Sequence, residues 1–254
     1  MKIYINLLSV VPIRAEPSEK SEMVSQLLFG ESYTVLQQTE QWYQIQCEHD
    51  LYIGWINEKQ FFENVIKPNI SNSFKTLSLC HVATMNNMYF PLLMGSTLLN
   101  FDGIQSKLDK KTIIYNGEII EIQSQRRDKN ILEKIAKMYL NAPYLWGGRT
   151  PFGIDCSGFL QVCFSYLGIN LPRDAYQQVE KGVLIDFVQE CTLGDVAFFV
   201  NNEGKIIHTG LLLNDGKIIH ASGKVRIDTL DHFGIYNESL KKYTHQLKVI
   251  KRIL

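Results

Sequence analysis

Short runs of alternating apolar and polar residues fill the first half of the chain, and they predict strands. Val24 to Leu28, Ser32 to Gln37, Trp42 to Cys47 and Tyr52 to Ile56 are rich in β-branched and aromatic residues and are bounded by turn residues. Gly30-Glu31 and Glu48-His49-Asp50 are expected to be hairpin turns. Strands this short and this closely spaced suggest a small barrel over residues 1 to 62. Residues 63 to 124 repeat the pattern less sharply, with strands expected at Leu77 to Ala83, Pro91 to Leu93, Thr97 to Phe101, Ile113 to Tyr115 and Glu118 to Ile122. Asn116-Gly117 is a strong two-residue hairpin signal.

The pattern changes at Arg126-Arg127-Asp128. Ile131, Leu132, Ile135, Ala136 and Tyr139 then recur at helical spacing, which predicts a helix from Asn130 to Leu140 that stops before Pro143. A second helix is predicted from about Cys156 to Leu167, ending at Gly168. Strands follow at Asp195 to Val200, Ile206 to Leu213 and Lys217 to Ala221, with Asn214-Asp215-Gly216 as a hairpin turn. Residues 125 to 254 therefore read as an α+β domain, helices first and an antiparallel sheet after.

A chain of 254 residues with 45 % apolar and 20 % charged residues is an ordinary globular composition, long enough for two or three domains. Lys plus Arg balances Asp plus Glu at 26 each, which argues against a nucleic-acid partner. No run approaches the roughly 18 apolar residues of a membrane helix, so no membrane partner is expected. The apolar stretch from Ile3 to Val11 is interrupted by Tyr4, Asn6 and Ser9, and no small-x-small site precedes Pro12. The expectation is a cytoplasmic monomer, with a periplasmic or secreted location as the alternative if a signal lies upstream. Cysteines at 47, 80, 156, 163 and 191 form no C-x-x-C, which argues against a zinc site or a disulfide framework.

The densest segment runs from Pro143 to Gly158 and holds Gly147, Gly148, Gly153 and Gly158. It leads directly into the second predicted helix, which puts Cys156 at a helix start. Unpaired N–H groups and the helix dipole there favour a thiolate, and the same N–H groups suit an oxyanion. A thiol nucleophile needs a base. His208 and His220 lie on the two strands joined by the Asn214-Asp215-Gly216 turn, so one imidazole can serve the thiol while the other orients the first. Taken singly, a buried cysteine or a strand histidine is most often structural; the joint pattern is what points to catalysis. His49, His81, His232 and His245 read as turn or surface residues.

These residues resemble the NlpC family of cell-wall cysteine peptidases, which share a papain-like core. The resemblance covers roughly 125 to 254 and rests on Tyr144-x-Trp146-Gly147-Gly148, Asp155-Cys156-Ser157-Gly158, Leu193-Gly194-Asp195, His208-x-Gly210 and His220-Ala221-Ser222. It implies Cys156 as nucleophile, His208 as base, His220 as the orienting residue and Tyr144 beside the nucleophile. Arg14-Ala15-Glu16-Pro17, Trp42-Tyr43 and Gly54-Trp55-Ile56 resemble bacterial SH3-like domains. The architecture so implied is a papain-like NlpC domain at 125–254 preceded by two small SH3-like β-barrels, at 1–62 and 63–124.

That arrangement resembles γ-D-glutamyl-L-diamino acid endopeptidases, which cut murein peptides bearing a free N-terminal L-alanine. The resemblance implies that the alanine ammonium is bound by Asp155, with Ser157, Tyr52 and Glu22 (or Glu31) as further substrate contacts. Arg173 and Arg226 suit a substrate carboxylate by charge. Relatives often place a serine after Leu171-Pro172-Arg173-Asp174, where this chain has Ala175. The implied chemistry uses no metal and no organic cofactor. A secreted wall hydrolase, an amidase or acyltransferase on the same core, and a non-enzymatic binding module are the competing expectations.

Overall fold

The computed structural model describes residues 2–61, 73–108, 111–122 and 128–254. The expected domain boundaries near 62 and 124, and the Arg126-Arg127 pair, lie outside the described residues. The chain divides into two units, Met1–Gln125 with Trp146–Pro151, and Arg126–Leu145 with Phe152–Leu254.

The first unit is built of short strands: β1 (Ile3–Ile5), β2 (Val10–Arg14), β3 (Met23–Leu28), β4 (Ser32–Gln38), β5 (Trp42–Cys47), β6 (Ile53–Asn57), β7 (Phe74–Thr76), β8 (Cys80–Met85), β9 (Met88–Leu93), β10 (Thr97–Leu98), β11 (Gln105–Leu108), β12 (Lys111–Ile114), β13 (Ile119–Glu121) and β14 (Arg149–Thr150). The first six form one sheet in the order β1-β4-β5-β6-β2-β3. Alternation sends Val11 and Ile13 of β2 inward, where they meet Leu27, Tyr33, Ile45 and Ile56. A second core joins Ile5, Leu7 and Phe29 to Ala83, Leu92, Leu98, Ile113 and Tyr115. Residues 73–122 therefore share their core with the amino-terminal strands.

Two expected hairpins are corrected. Gly30-Glu31 does not join paired strands, because β3 pairs with β2 while β4 pairs with β1 and β5. Asn116-Gly117 joins β12 to β13, which belong to different sheets. Neither residue has the positive φ of a tight hairpin turn, and the Asn116 side chain is held by His81 Nε2 at 2.7 Å. Glu48-His49-Asp50 does connect a paired β5 and β6.

In the second unit, α1 (Lys129–Met138) is capped by Asp128 and buries Leu132, Ile135 and Ala136. After β15 (Gly153–Ile154) comes α2 (Cys156–Ser165), whose N-cap Asp155 accepts from the Gly158 N–H at 2.7 Å. Residues Cys156 to Phe164 are all buried, so this largely apolar helix is enclosed on every side and is held by packing. Burying each of Phe159 and Phe164 stabilises it by about 1.5–3 kcal/mol. A short α3 (Ala175–Gln178), which apolar periodicity does not reveal, is opened by the Asp174–Gln177 capping box.

The remaining strands are β16 (Val183–Ile185), β17 (Val196–Val200), β18 (Ile206–Leu212), β19 (Lys217–Ser222), β20 (Lys224–Leu230), β21 (Gly234–Asn237) and β22 (Lys242–Arg252). They form an antiparallel sheet in the order β16-β22-β17-β18-β19-β20-β21, and β22 also pairs with β21. The sheet thus closes on itself, a consequence of an 11-residue strand long enough to serve two neighbours. Asp215 and Gly216 carry positive φ in the turn between β18 and β19, as a two-residue hairpin of this kind requires. The helix α2 packs across β18 and β19. Among the described residues no helix is long and apolar enough to cross a membrane.

Candidate active site

Cys156 is the first residue of α2 and is 7 % exposed. Backbone N–H groups of Thr209 and Ser157 donate toward its sulfur. Thr209 directly follows His208 on β18, so the thiol lies against the strand that carries the imidazole. The helix start is expected to lower the thiol pKa, but the structure reverses this. Burial pushes it up to about 12, the adjacent Asp155 carboxylate adds to the rise, and the two N–H groups and Arg173 only partly offset it. The resting group is therefore a thiol, and attack requires a base.

His208 and His220 meet in the way the strand positions require. His208 Nε2 lies 2.9 Å from His220 Nδ1. Gly210, two residues along from His208, faces His220, and a Cβ there would lie 2.9 Å from the His220 Cβ. The glycine of His208-x-Gly210 is thus the space into which His220 leans. Burial, with His220 and His245 beside it, holds His208 neutral well below the ordinary imidazole range. A neutral imidazole is the form that accepts a proton.

Two partners escape the sequence reading. Asp228 on β20 lies 3.1 Å from His220 Nε2 and accepts from Arg226 Nη2 at 2.9 Å. Burial alone would raise its carboxyl, yet the hydrogen bonds and charges of His220 and Arg226 hold it below the ordinary value. Arg226 therefore serves this carboxylate. His245 on β22 stacks on the His208 ring, centroids 4.1 Å apart, so it is no plain surface residue. Period-two spacing puts Arg226 and Asp228 on one face of a strand, which is the signal that could have found the first. For His245 no local signal exists, since its neighbours depend on sheet closure.

Asp155 binds Arg173 through both oxygens, at 3.1 and 2.5 Å, while capping α2. The Ser157 hydroxyl accepts from Arg173 at 2.9 Å and lies 3.3 Å from Asp155 Oδ1. Arg173 is expected at a substrate carboxylate; instead it is 1 % exposed and paired inside the protein, because a buried guanidinium needs a partner. Tyr144 is half-buried, and burial together with the Cys156 and Asp155 charges pushes its hydroxyl up to about 12, so it is a neutral donor beside both. Ala175, at the start of α3, is buried.

Glu22 and Tyr52 belong to the first unit. Glu22 is exposed and accepts from the Trp146 indole N–H. Tyr52 is half-buried on the loop before β6. Glu31, the rival to Glu22, is buried in an ion pair with Arg149 at 2.7 and 2.9 Å and takes the Leu28 N–H, which commits it to the fold. Cys47 and Cys163 are buried thiols, and among the described residues all five cysteines are unbridged.

Residues 141–246 match the NlpC/P60 family, and residues 13–61 match the bacterial dipeptidyl-peptidase SH3 domain. The chain thus carries an NlpC/P60-type domain over 141–246, preceded by an SH3-type domain over 13–61. Among curated proteins it is 28 % identical over 233 residues to a gamma-D-glutamyl-L-lysine dipeptidyl-peptidase of Bacillus cereus, covering 79 % of this chain and 68 % of that one. It is 27 % identical over 248 residues to dipeptidyl-peptidase 6 of Lysinibacillus sphaericus, covering 85 % and 88 %. The crystal structure of an NlpC/P60 family protein from Bacillus cereus has the same fold, with a TM-score of 0.84 over the full length of both chains at 20 % identity.

Proposed function

We propose that this protein is a cysteine peptidase that hydrolyses the bond between γ-D-glutamate and the following diamino acid in murein peptides with a free N-terminal L-alanine, releasing the dipeptide. The relatives' names support the bond and the product. The observation that carries the chemistry is the relay from His208 through His220 to Asp228, set beside a thiol that opens a buried helix. His208 takes the Cys156 proton as sulfur attacks the γ-carbonyl carbon. Backbone N–H groups at the start of α2 and the Tyr144 hydroxyl stabilise the oxyanion. His208 then protonates the leaving amine, and water, deprotonated by the same imidazole, releases the thioester. His220 holds the His208 ring, and Asp228 fixes the His220 tautomer.

For specificity, Asp155 is held rigid by Arg173 and the first turn of α2, and the alanine ammonium shares this carboxylate. A peptide still amide-linked to muramic acid offers no ammonium there, so the natural substrates are peptides already released from glycan. In the same reading the catalytic domain is a papain-like α+β core, and residues 73–122 form a second SH3-like barrel fused to the first through their common core.

The test is mass spectrometry of products from L-Ala-γ-D-Glu-L-Lys and its diaminopimelate counterpart, free and N-acetylated. Cys156→Ala is expected to lower turnover at least ~10³-fold while the protein stays folded. N-acetylation is expected to lower kcat/KM at least ~10²-fold. Unchanged turnover by Cys156→Ala removes the thiol mechanism, and equal rates on both peptides remove the ammonium requirement.

A further inference from the structure

The proposed chemistry uses two imidazoles, yet three converge. One nitrogen each from His208, His220 and His245 all lie within 4.8 Å of one another. We propose that these three histidines form a binding site for a divalent transition-metal ion, Zn²⁺ foremost, and that occupancy switches the thiol off. The switching half rests on the peptidase reading above; the binding half does not.

The three nitrogens are close enough to share such an ion once the His245 ring, stacked on His208 with centroids 4.1 Å apart and 24° between the planes, turns out of the stack. Zn–N bonds of about 2.0–2.1 Å in a tetrahedron put ligand nitrogens roughly 3.3 Å apart. His208 Nε2 and His220 Nδ1, hydrogen-bonded at 2.9 Å, must open and tilt toward a common point, and His245 must rotate its nitrogen in from within 4.8 Å. His245 is the half-buried member, so the adjustment falls on the least confined ring. The outer contacts are those that metal-bound histidines make. His220 turns its other nitrogen to the Asp228 carboxylate at 3.1 Å, and His245 turns Nδ1 to the Thr244 hydroxyl at 2.9 Å. Where the ring donates in these outer hydrogen bonds, the lone pair of its other nitrogen is left for the ion. Three neutral imidazoles leave a fourth position for water. His245 also lines a cavity of about 830 Å³ with Ile207, His232, Phe233 and Tyr243, which gives a hydrated ion a way in.

The effect on the base follows from proton bookkeeping. In the active tautomer His208 carries its proton on Nε2, donated to His220 Nδ1, and offers the Nδ1 lone pair to the thiol. A metal ion on Nε2 needs the lone pair there, so the ring proton shifts from Nε2 to Nδ1 and occupies the position that had accepted from the thiol. No proton is released, but His208 can no longer accept one from Cys156.

The experiment uses the full chain freed of metal by chelation. Zn²⁺ is titrated by calorimetry, Co²⁺ by the visible bands of a tetrahedral site, and turnover is followed with added Zn²⁺. One equivalent is expected to bind, with both His245→Ala and His245→Gln weakening it at least tenfold and Cys156→Ala leaving it in place. The Zn²⁺ inhibition constant, read against each variant's own metal-free turnover, is expected to rise at least tenfold in both His245 variants. Binding that persists in both folded His245 variants, or that is lost in Cys156→Ala, overturns the proposal, since the thiol or the Cys47, His49, Asp50 group would then be the ligand set. A metal-free protein that cleaves no murein peptide yet binds Zn²⁺ through His245 upholds the site and removes the peptidase reading instead.

Discussion

Among the described residues, each unit has a carboxylate–guanidinium pair with both side chains buried, and the two pairs serve different ends. In the first unit Glu31 and Arg149 are 7 % and 2 % exposed at the side chain and meet at 2.7 Å. In the second, Asp155 and Arg173 are 6 % and 2 % exposed and meet at 2.5 Å. Glu31 also takes the Leu28 N–H, and Arg149 also reaches the Gln26 carbonyl at 2.7 Å, so that pair ties β14 to the strand β3. Asp155 instead spends its remaining capacity on the first turn of α2 and on Ser157, next to the nucleophile. Identical chemistry fastens a loop in one place and pre-forms a reaction site in the other. The lesson is that burial and pairing by themselves do not mark function; the neighbours of the pair do.

The largest effect is expected at Asp155. Asp155→Ala removes the cap of α2 and strands the Arg173 charge, an expected loss of about 4–5 kcal/mol by urea denaturation. Turnover of the folded fraction should fall at least ~10²-fold. A variant that keeps full activity would show that this pair is as purely structural as the other.

Glu31→Gln should cost about 3 kcal/mol by the same denaturation, from the stranded Arg149. Its kcat on the murein tripeptide should change by less than roughly threefold, a small effect by the scale of lost catalytic groups. A kcat loss as large as that of the Asp155 variant would erase the distinction.

Acid titration sharpens the contrast further. Burial would raise the Glu31 carboxyl, but the charge of Arg149 and of His49, the Arg149 hydrogen bonds and the Lys75 charge bring it down to about 2, from an ordinary 4.5. A carboxyl depressed on folding contributes stability that is complete above its unfolded value and is lost as pH falls through its folded value. The expected contribution, roughly 3 kcal/mol, therefore fades between pH 4.5 and pH 2. The difference between wild type and Glu31→Gln in urea midpoints should narrow over that window; a constant difference would refute the assignment.

The smallest effect is expected when both partners are made apolar. Glu31→Leu with Arg149→Met should lie within about 2 kcal/mol of wild type, since the pair is removed whole and only the weaker attraction of Glu31 for His49 and Lys75 is lost with it. A loss as large as that of Glu31→Gln would mean that the other hydrogen bonds of Arg149 carry the stability.

Much of the site was legible because it is local. Asp155, Cys156, Ser157 and Gly158 are consecutive, and a glycine-rich loop running into an apolar helix is a pattern of neighbouring residues. The His208 and His220 pair was legible because one two-residue turn sets their strands. The hairpin readings at Gly30-Glu31 and Asn116-Gly117 failed because turn residues report a change of direction, and which strand the chain then joins depends on distant partners.

What the amino-acid sequence determined by itself was the helix start that carries the thiol and the hairpin that carries two imidazoles, both consequences of backbone preferences over a few residues. Tertiary structure alone decided that the thiol is neutral at rest, that Arg173 is occupied by Asp155, and that Asp228 and His245 join the histidines. These depend on burial and on the closure of β22 against β17 and β21, and desolvation and long-range pairing leave no local trace in the order of residues.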